Sequence, residues 1–171
     1  MKRVFLITGF PRSRTGWLSV FLSSGDTLCL HEPISQFNGQ FVPMVEYLAT
    51  IPSPNLGISD SGIAEKAGLY SMTFPSASVM VIERSKEDSF RSHRAYYGSL
   101  YSEETTQKAF DVRERGLQSL DQEFQNVKRI PFASLETVEG ARVAWEFCCP
   151  GKPFDQHRYQ AMNRIVCNPK L

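Results

Sequence analysis

The chain has 171 residues, of which 42% are hydrophobic, 22% charged and 12% aromatic, enough for one sizeable core in a single domain spanning 1–171. That composition excludes a disordered, collagen-like or heptad-repeat chain. With 19 Lys and Arg against 18 Asp and Glu, the net charge of +1 supplies no global field to collect nucleic acid or an anionic membrane, so any anion binding must come from a local site.

The longest apolar runs, Val4–Ile7 and Val79–Ile82, fall far short of the roughly 18–20 residues that span a bilayer, so no membrane partner is expected. The basic Met1-Lys2-Arg3 start is followed by an apolar run that Gly9, Pro11, Arg12 and Arg14 interrupt too early for a secretion signal, and the expected location is cytoplasmic. Cys29, Cys148, Cys149 and Cys167 have no CxxC spacing and make no knuckle with His31, His93 or His157. Reduced thiols and no metal site are the expectation.

In chain order, a first strand at about 3–9 runs through a glycine-containing turn into a helix from near Thr15 to Ser24. A second strand at about 26–31 precedes a helix from about Gln40 to Thr50, where Phe41, Val45 and Leu48 recur at helical spacing. Ile51–Asn55 is a loop leading to a strand at about 55–60 and a helix at 61–70. A strand at about 78–84 is followed by helices at 86–98 and about 103–125, the latter with an apolar stripe of Phe110, Leu117, Leu120 and Phe124. A last strand at about 127–132 is followed by helices at about 135–148 and 155–166, separated by Pro150-Gly151-Lys152-Pro153. Short apolar runs alternating with amphipathic segments predict an α/β fold, a parallel sheet of about five strands flanked by helices in three α/β/α layers. In such sheets ligands bind beyond the C-terminal ends of the strands.

The turn after the first strand reads Gly9-Phe10-Pro11-Arg12-Ser13-Arg14-Thr15-Gly16-Trp17. A turn of this kind aims backbone N–H groups and the positive helix end at an anion. Arg12 adds a planar cation suited to phosphate or sulfate oxygens. The Walker A ending is missing, because Arg14 and Thr15 stand where Gly and Lys would be needed.

The segment resembles the 5′-phosphosulfate-binding loop of sulfotransferases, whose usual form is Pro-Lys/Arg-Ser-Gly-Thr-Thr/Ser-Trp-Leu. Pro11, Arg12, Ser13, Thr15, Trp17 and Leu18 fit it, while Arg14 and Gly16 stand where the family has Gly and a second hydroxyl residue. The resemblance implies a P-loop NTPase-like fold, with the loop's strand central, and 3′-phosphoadenosine 5′-phosphosulfate (PAPS) as donor. Residues Pro11–Trp17 would bind it. Arg84 at the end of the fourth strand, and Ser92 eight residues later, resemble the family's 3′-phosphate-binding pair. Ser85 with Asp88 forms a helix-start capping pair that would hold Ser92 in place. Weaker likenesses follow the fifth strand at Phe132–Glu136 and around Trp145–Phe147, and the family's Gly-rich C-terminal cover has no counterpart.

The second strand ends in His31-Glu32-Pro33. A carboxylate or imidazole delivered there can act as general base toward an acceptor hydroxyl. A Glu-Pro pair at this stage resembles carbohydrate sulfotransferases, making Glu32 the first choice of base. His31 is the alternative, as imidazole titrates nearer neutrality and the cytosolic branch of the family uses a His. Strand alternation predicts that the two side chains point to different sides. Asp60, after the third strand, reads as a metal-binding acid of a P-loop NTPase, or else Asp60 or Ser61 caps the following helix. Phe37, Phe41, Tyr47, Tyr70, Phe74, Tyr96 and Tyr97 divide between core and acceptor pocket.

The expected function is sulfuryl transfer from PAPS, leaving 3′-phosphoadenosine 5′-phosphate (PAP), to a hydroxyl or amine of a small molecule or glycan. Arg12 and Thr15 would stabilise the transferring charge, with Glu32 or His31 as base. The alternatives are a P-loop kinase of a nucleotide or small molecule, which needs Mg²⁺, and a non-catalytic nucleotide-binding module of the same fold. The acceptor and the oligomeric state are open.

Overall fold

The computed structural model describes residues 2–98 and 100–164. The elements in chain order are β1 (Arg3–Gly9), α1 (Thr15–Leu22), β2 (Thr27–His31), α2 (Pro33–Gln36), α3 (Phe41–Thr50), β3 (Asn55–Ser59), a 3₁₀ turn (Ala64–Lys66), α4 (Ala67–Thr73), β4 (Ser78–Glu83), α5 (Lys86–Tyr97), α6 (Glu103–Glu123), β5 (Asn126–Pro131), a second 3₁₀ turn (Phe132–Glu136), α7 (Val138–Cys148) and α8 (Gln156–Asn163). The five strands form one parallel sheet in the order β2-β3-β1-β4-β5, with β1 at its centre. Because every strand runs the same way, all five C-terminal ends open on one edge of the sheet.

Strand alternation sends side chains to two cores. Leu6, Leu56, Ile58, Val79 and Val81 face a core closed by α3, α4 and α6, through Leu48, Tyr70, Phe110 and Leu120 among others. Phe5, Ile7, Met80, Ile82 and Ile130 face the other, closed by α1, α7 and α8 through Phe21, Trp145 and Tyr159. Both faces are buried, which is why the strands read as continuous apolar runs. Gly57 permits the tight centre, since a Cβ there would lie 2.4 Å from the Phe5 ring and 2.6 Å from Cys29 Sγ. Among the described residues no helix is long and apolar enough to cross a membrane.

Several expected boundaries shift for local reasons. The helix expected at 61–70 begins later, because Asp60 Oδ1 accepts from Gly62 N–H at 2.7 Å and turns the chain before a 3₁₀ turn leads into α4. The helix expected at 135–148 is split at Thr137, whose Oγ1 accepts from Gly140 N–H at 3.1 Å and starts α7 anew. The short α2 is an addition that the polar stretch after Pro33 did not suggest. The expected Ser85 cap forms, accepting from Asp88 N–H at 3.0 Å. The last expected helix, 155–166, is described as far as Arg164, and its final residues and Cys167 lie outside the described residues.

Candidate functional site

The loop from Phe10 to Arg14 leaves the central strand where its neighbours also end. Gly9 makes that exit possible, since a Cβ there would meet the Ile82 carbonyl of β4 at 2.7 Å. Arg12 and Arg14 take left-handed backbone angles, with φ 67 and φ 61. Non-glycine residues in this region are uncommon and gather at functional sites. Ser13, between them, is fully buried, and its Oγ has no hydrogen-bond partner among the described residues. Ser59 of β3 ties the loop to the sheet by donating to the Thr15 carbonyl at 2.8 Å.

Three guanidinium groups surround this loop. Arg84, at the end of β4, donates from Nη1 to the Arg12 carbonyl and lies 4.5 Å over the Phe132 ring. Arg14 shares that ring at 5.5 Å, donates to Glu136 at 3.0 Å and reaches the Leu135 carbonyl at 3.4 Å. Arg12 lies 4.3 Å over Tyr96 of α5. Burial lowers the Arg84 pKa from the usual arginine value, Asp88 opposes this, and Arg12 and Arg14 add to the lowering. Such like-charge crowding is unfavourable until an anion joins it. Pro11 is half-buried, and Trp17 packs on Phe21 at 4.9 Å in the core, with Arg14 at 5.9 Å from its ring. Ser92 sits half-buried on α5 and makes no hydrogen bond to Arg84 among the described residues.

The other side of the loop is acidic and carries the imidazole. His31 Nε2 lies 3.5 Å from Thr15 Oγ1 and 3.8 Å from Glu32 Oε1. This corrects the expected opposition of His31 and Glu32: Glu32 has already left the strand, and its φ of 45 turns the carboxylate back beside the imidazole. Asp60 is buried, with Oδ2 unpartnered among the described residues. Burial raises its pKa, Gly62 N–H opposes this, Glu32 adds to it, and Arg113 and His31 lower it. Among the described residues no group of three His, Cys, Asp or Glu side chains is gathered for a metal.

The site thus has a cationic flank built on β4 and the segment after β5, and an acid-imidazole flank built on the ends of β2 and β3. Sequence reasoning placed Tyr96 among the core or pocket aromatics and Phe132–Glu136 in a weak family likeness, but did not anticipate that Phe132, Tyr96 and Glu136 support the arginines. It also missed His93 on α5, which stacks on Tyr97 at 4.6 Å and has its pKa lowered by burial and then by Arg113, Arg12 and Arg94. The helical spacing of Ser89, His93 and Tyr96 on one face of α5 was the available signal. Of the aromatics, Tyr70 is core, whereas Tyr47, Tyr96 and Tyr97 are exposed. Neither a comparison with models of protein families nor one with curated proteins gives a match.

Proposed function

We propose that this chain is a sulfotransferase of the P-loop type, transferring a sulfuryl group from PAPS to a hydroxyl or amine of a small molecule or glycan. The observation that carries this reading is the convergence of Arg12, Arg14 and Arg84 on a loop whose buried Ser13 hydroxyl has no hydrogen-bond partner among the described residues. The donor set suits a polyanion. Arg12, Ser13, Thr15 and the first amides of α1 would hold the 5′ end, and Arg84 the 3′-phosphate, with Ser92 near it on α5. Phe132 gives the Arg84 and Arg14 guanidinium groups a shared aromatic contact, at 4.5 Å and 5.5 Å from its ring.

The donor supplies an activated sulfuryl group, whose S–O bond to phosphate breaks as the acceptor oxygen or nitrogen bonds to sulfur. Glu32, on the flank opposite Arg84, takes the acceptor's proton. Arg12 and Thr15 stabilise the charge gathering on the sulfonate and the departing phosphate. The cationic flank excludes no particular acceptor, so acceptor class rests on the opposite side of the loop.

One observation favours the kinase reading. Asp60, whose buried Oδ2 has no partner among the described residues, stands at the end of the strand beside β1. Against it, no lysine follows the loop to grip a γ-phosphate. Calorimetry separates the two: the folded protein should bind PAP without metal, and preference for ATP with Mg²⁺ would reverse the assignment. Arg12→Ala should weaken PAP binding. Arg84→Ala should reduce discrimination between PAP and its 3′-dephosphorylated form, and equal loss for both would make Arg84 a structural strut of the Arg12 carbonyl. Turnover with an acceptor panel distinguishes an enzyme from a binding module.

A further inference from the structure

The imidazole of His31 and residue 16 are matched in size. A Cβ on Gly16 would come within 3.3 Å of both Cε1 and Nε2 of the ring, closer than side chains ordinarily pack. The ring therefore borders the space a side chain would enter at the first turn of α1, and it would have to give by a few tenths of an ångström to admit one. Its contacts to Thr15 Oγ1 and Glu32 Oε1 use the same nitrogen, Nε2. A relay from carboxylate through the ring to a hydroxyl requires both ring nitrogens, so this arrangement is not a relay.

We infer that His31 is an anion ligand, its Nε2–H supplying to an oxyanion held at the loop the donor that a glycine at position 16 cannot. The inference rests on the sulfotransferase reading, and it leaves Glu32 as the base. Ser13 Oγ in the loop, buried and without a hydrogen-bond partner among the described residues, is open to a further group. Glu32 lies beside the ring and Asp60 interacts with it electrostatically, while Thr15 and Gly16 of α1 carry no charge. Acids beside an anion cradle repel a polyanion, and an N–H donor at the loop offsets part of that repulsion. The nearest guanidinium in sequence, Arg14, is engaged with Glu136.

The test is calorimetric titration with PAP. His31→Ala should weaken binding by about tenfold or more, the size of a lost hydrogen bond to a charged group. His31→Gln, which keeps an N–H, should retain part of the affinity. Adding Gly16→Ser to His31→Ala restores a hydroxyl in the vacated space and should recover affinity, with no such recovery when Gly16→Ser is made beside the intact ring. Circular dichroism checks that each variant is folded. If the wild type binds PAP and both His31 variants match it within about twofold, the inference fails while the sulfotransferase reading stands. If the wild type binds no PAP, both fall together.

Discussion

Glu32 offers a test in which backbone and chemistry can be separated. Its φ of 45 and ψ of 50 lie in the left-handed region, where a Cβ crowds the following carbonyl at a cost of about 1–2 kcal/mol. Glu32→Ala removes the carboxylate and keeps the Cβ, whereas Glu32→Gly removes both. The main-chain role of the residue survives in each, since its carbonyl still accepts from Ser35 N–H and Ser35 Oγ. At an ordinary position Gly is less stable than Ala by about 0.5–1 kcal/mol, because it frees the unfolded chain. Here the relief is larger than that loss, so Glu32→Gly should be more stable than Glu32→Ala by about 0.5–1 kcal/mol. The lost contact with His31 is common to both variants and, between side chains 43% and 44% exposed, is worth at most about 1 kcal/mol. Urea unfolding at constant slope measures the difference, which corresponds to a few degrees in melting temperature, about 2–4 °C per kcal/mol at this size. Turnover should fall in both by the roughly 10²–10⁴-fold of a lost general base. An alanine variant as stable as the glycine variant would refute the idea that this turn stores strain for the site.

Asp60→Asn keeps an acceptor for Gly62 N–H and carries no charge. Because burial raises the folded-state pKa of Asp60, the stability linked to its protonated form is complete below the ordinary value of 3.8 and is lost as pH rises through the folded value. The variant should therefore be more stable than wild type at about pH 7, with the advantage fading toward the ordinary carboxylate range, and an advantage equal at both ends would refute the assignment. Gly57→Ala should destabilise by about 1–3 kcal/mol or more, since its Cβ has no room beside Phe5 and Cys29; an unchanged thermal midpoint would contradict the packing described. Cys29, Cys148 and Cys149 are buried, and burial is the leading reason that each thiol's pKa is raised. A disulfide reagent should leave these three unmodified in the native protein and label them on unfolding, as read by peptide mass mapping.

The parallel strands, the amphipathic stripe of α6 and the loop after β1 were legible in the sequence because each is written in short-range signals. Burial on both faces makes Val79–Ile82 a continuous apolar run, and helical spacing puts Phe110, Leu117 and Leu120 on one buried face. The Ser85 cap and the turn after β1 are equally local, a few adjacent residues whose backbone needs are visible from their identity. Strand alternation failed at Glu32, because one left-handed residue undoes the two-residue period and brings the carboxylate beside His31. The two 3₁₀ turns depend on side-chain to backbone hydrogen bonds and on packing that no periodicity encodes. Tertiary structure alone decided which strand ends meet. The order β2-β3-β1-β4-β5 sets Arg84 against the Arg12 carbonyl from one side and His31 against Thr15 and Gly16 from the other. Phe132, far along the chain, becomes a shared platform for two arginines only because β5 ends beside β4. Those approaches are settled by burying two faces of one sheet at once, a condition on the whole chain that no local window contains.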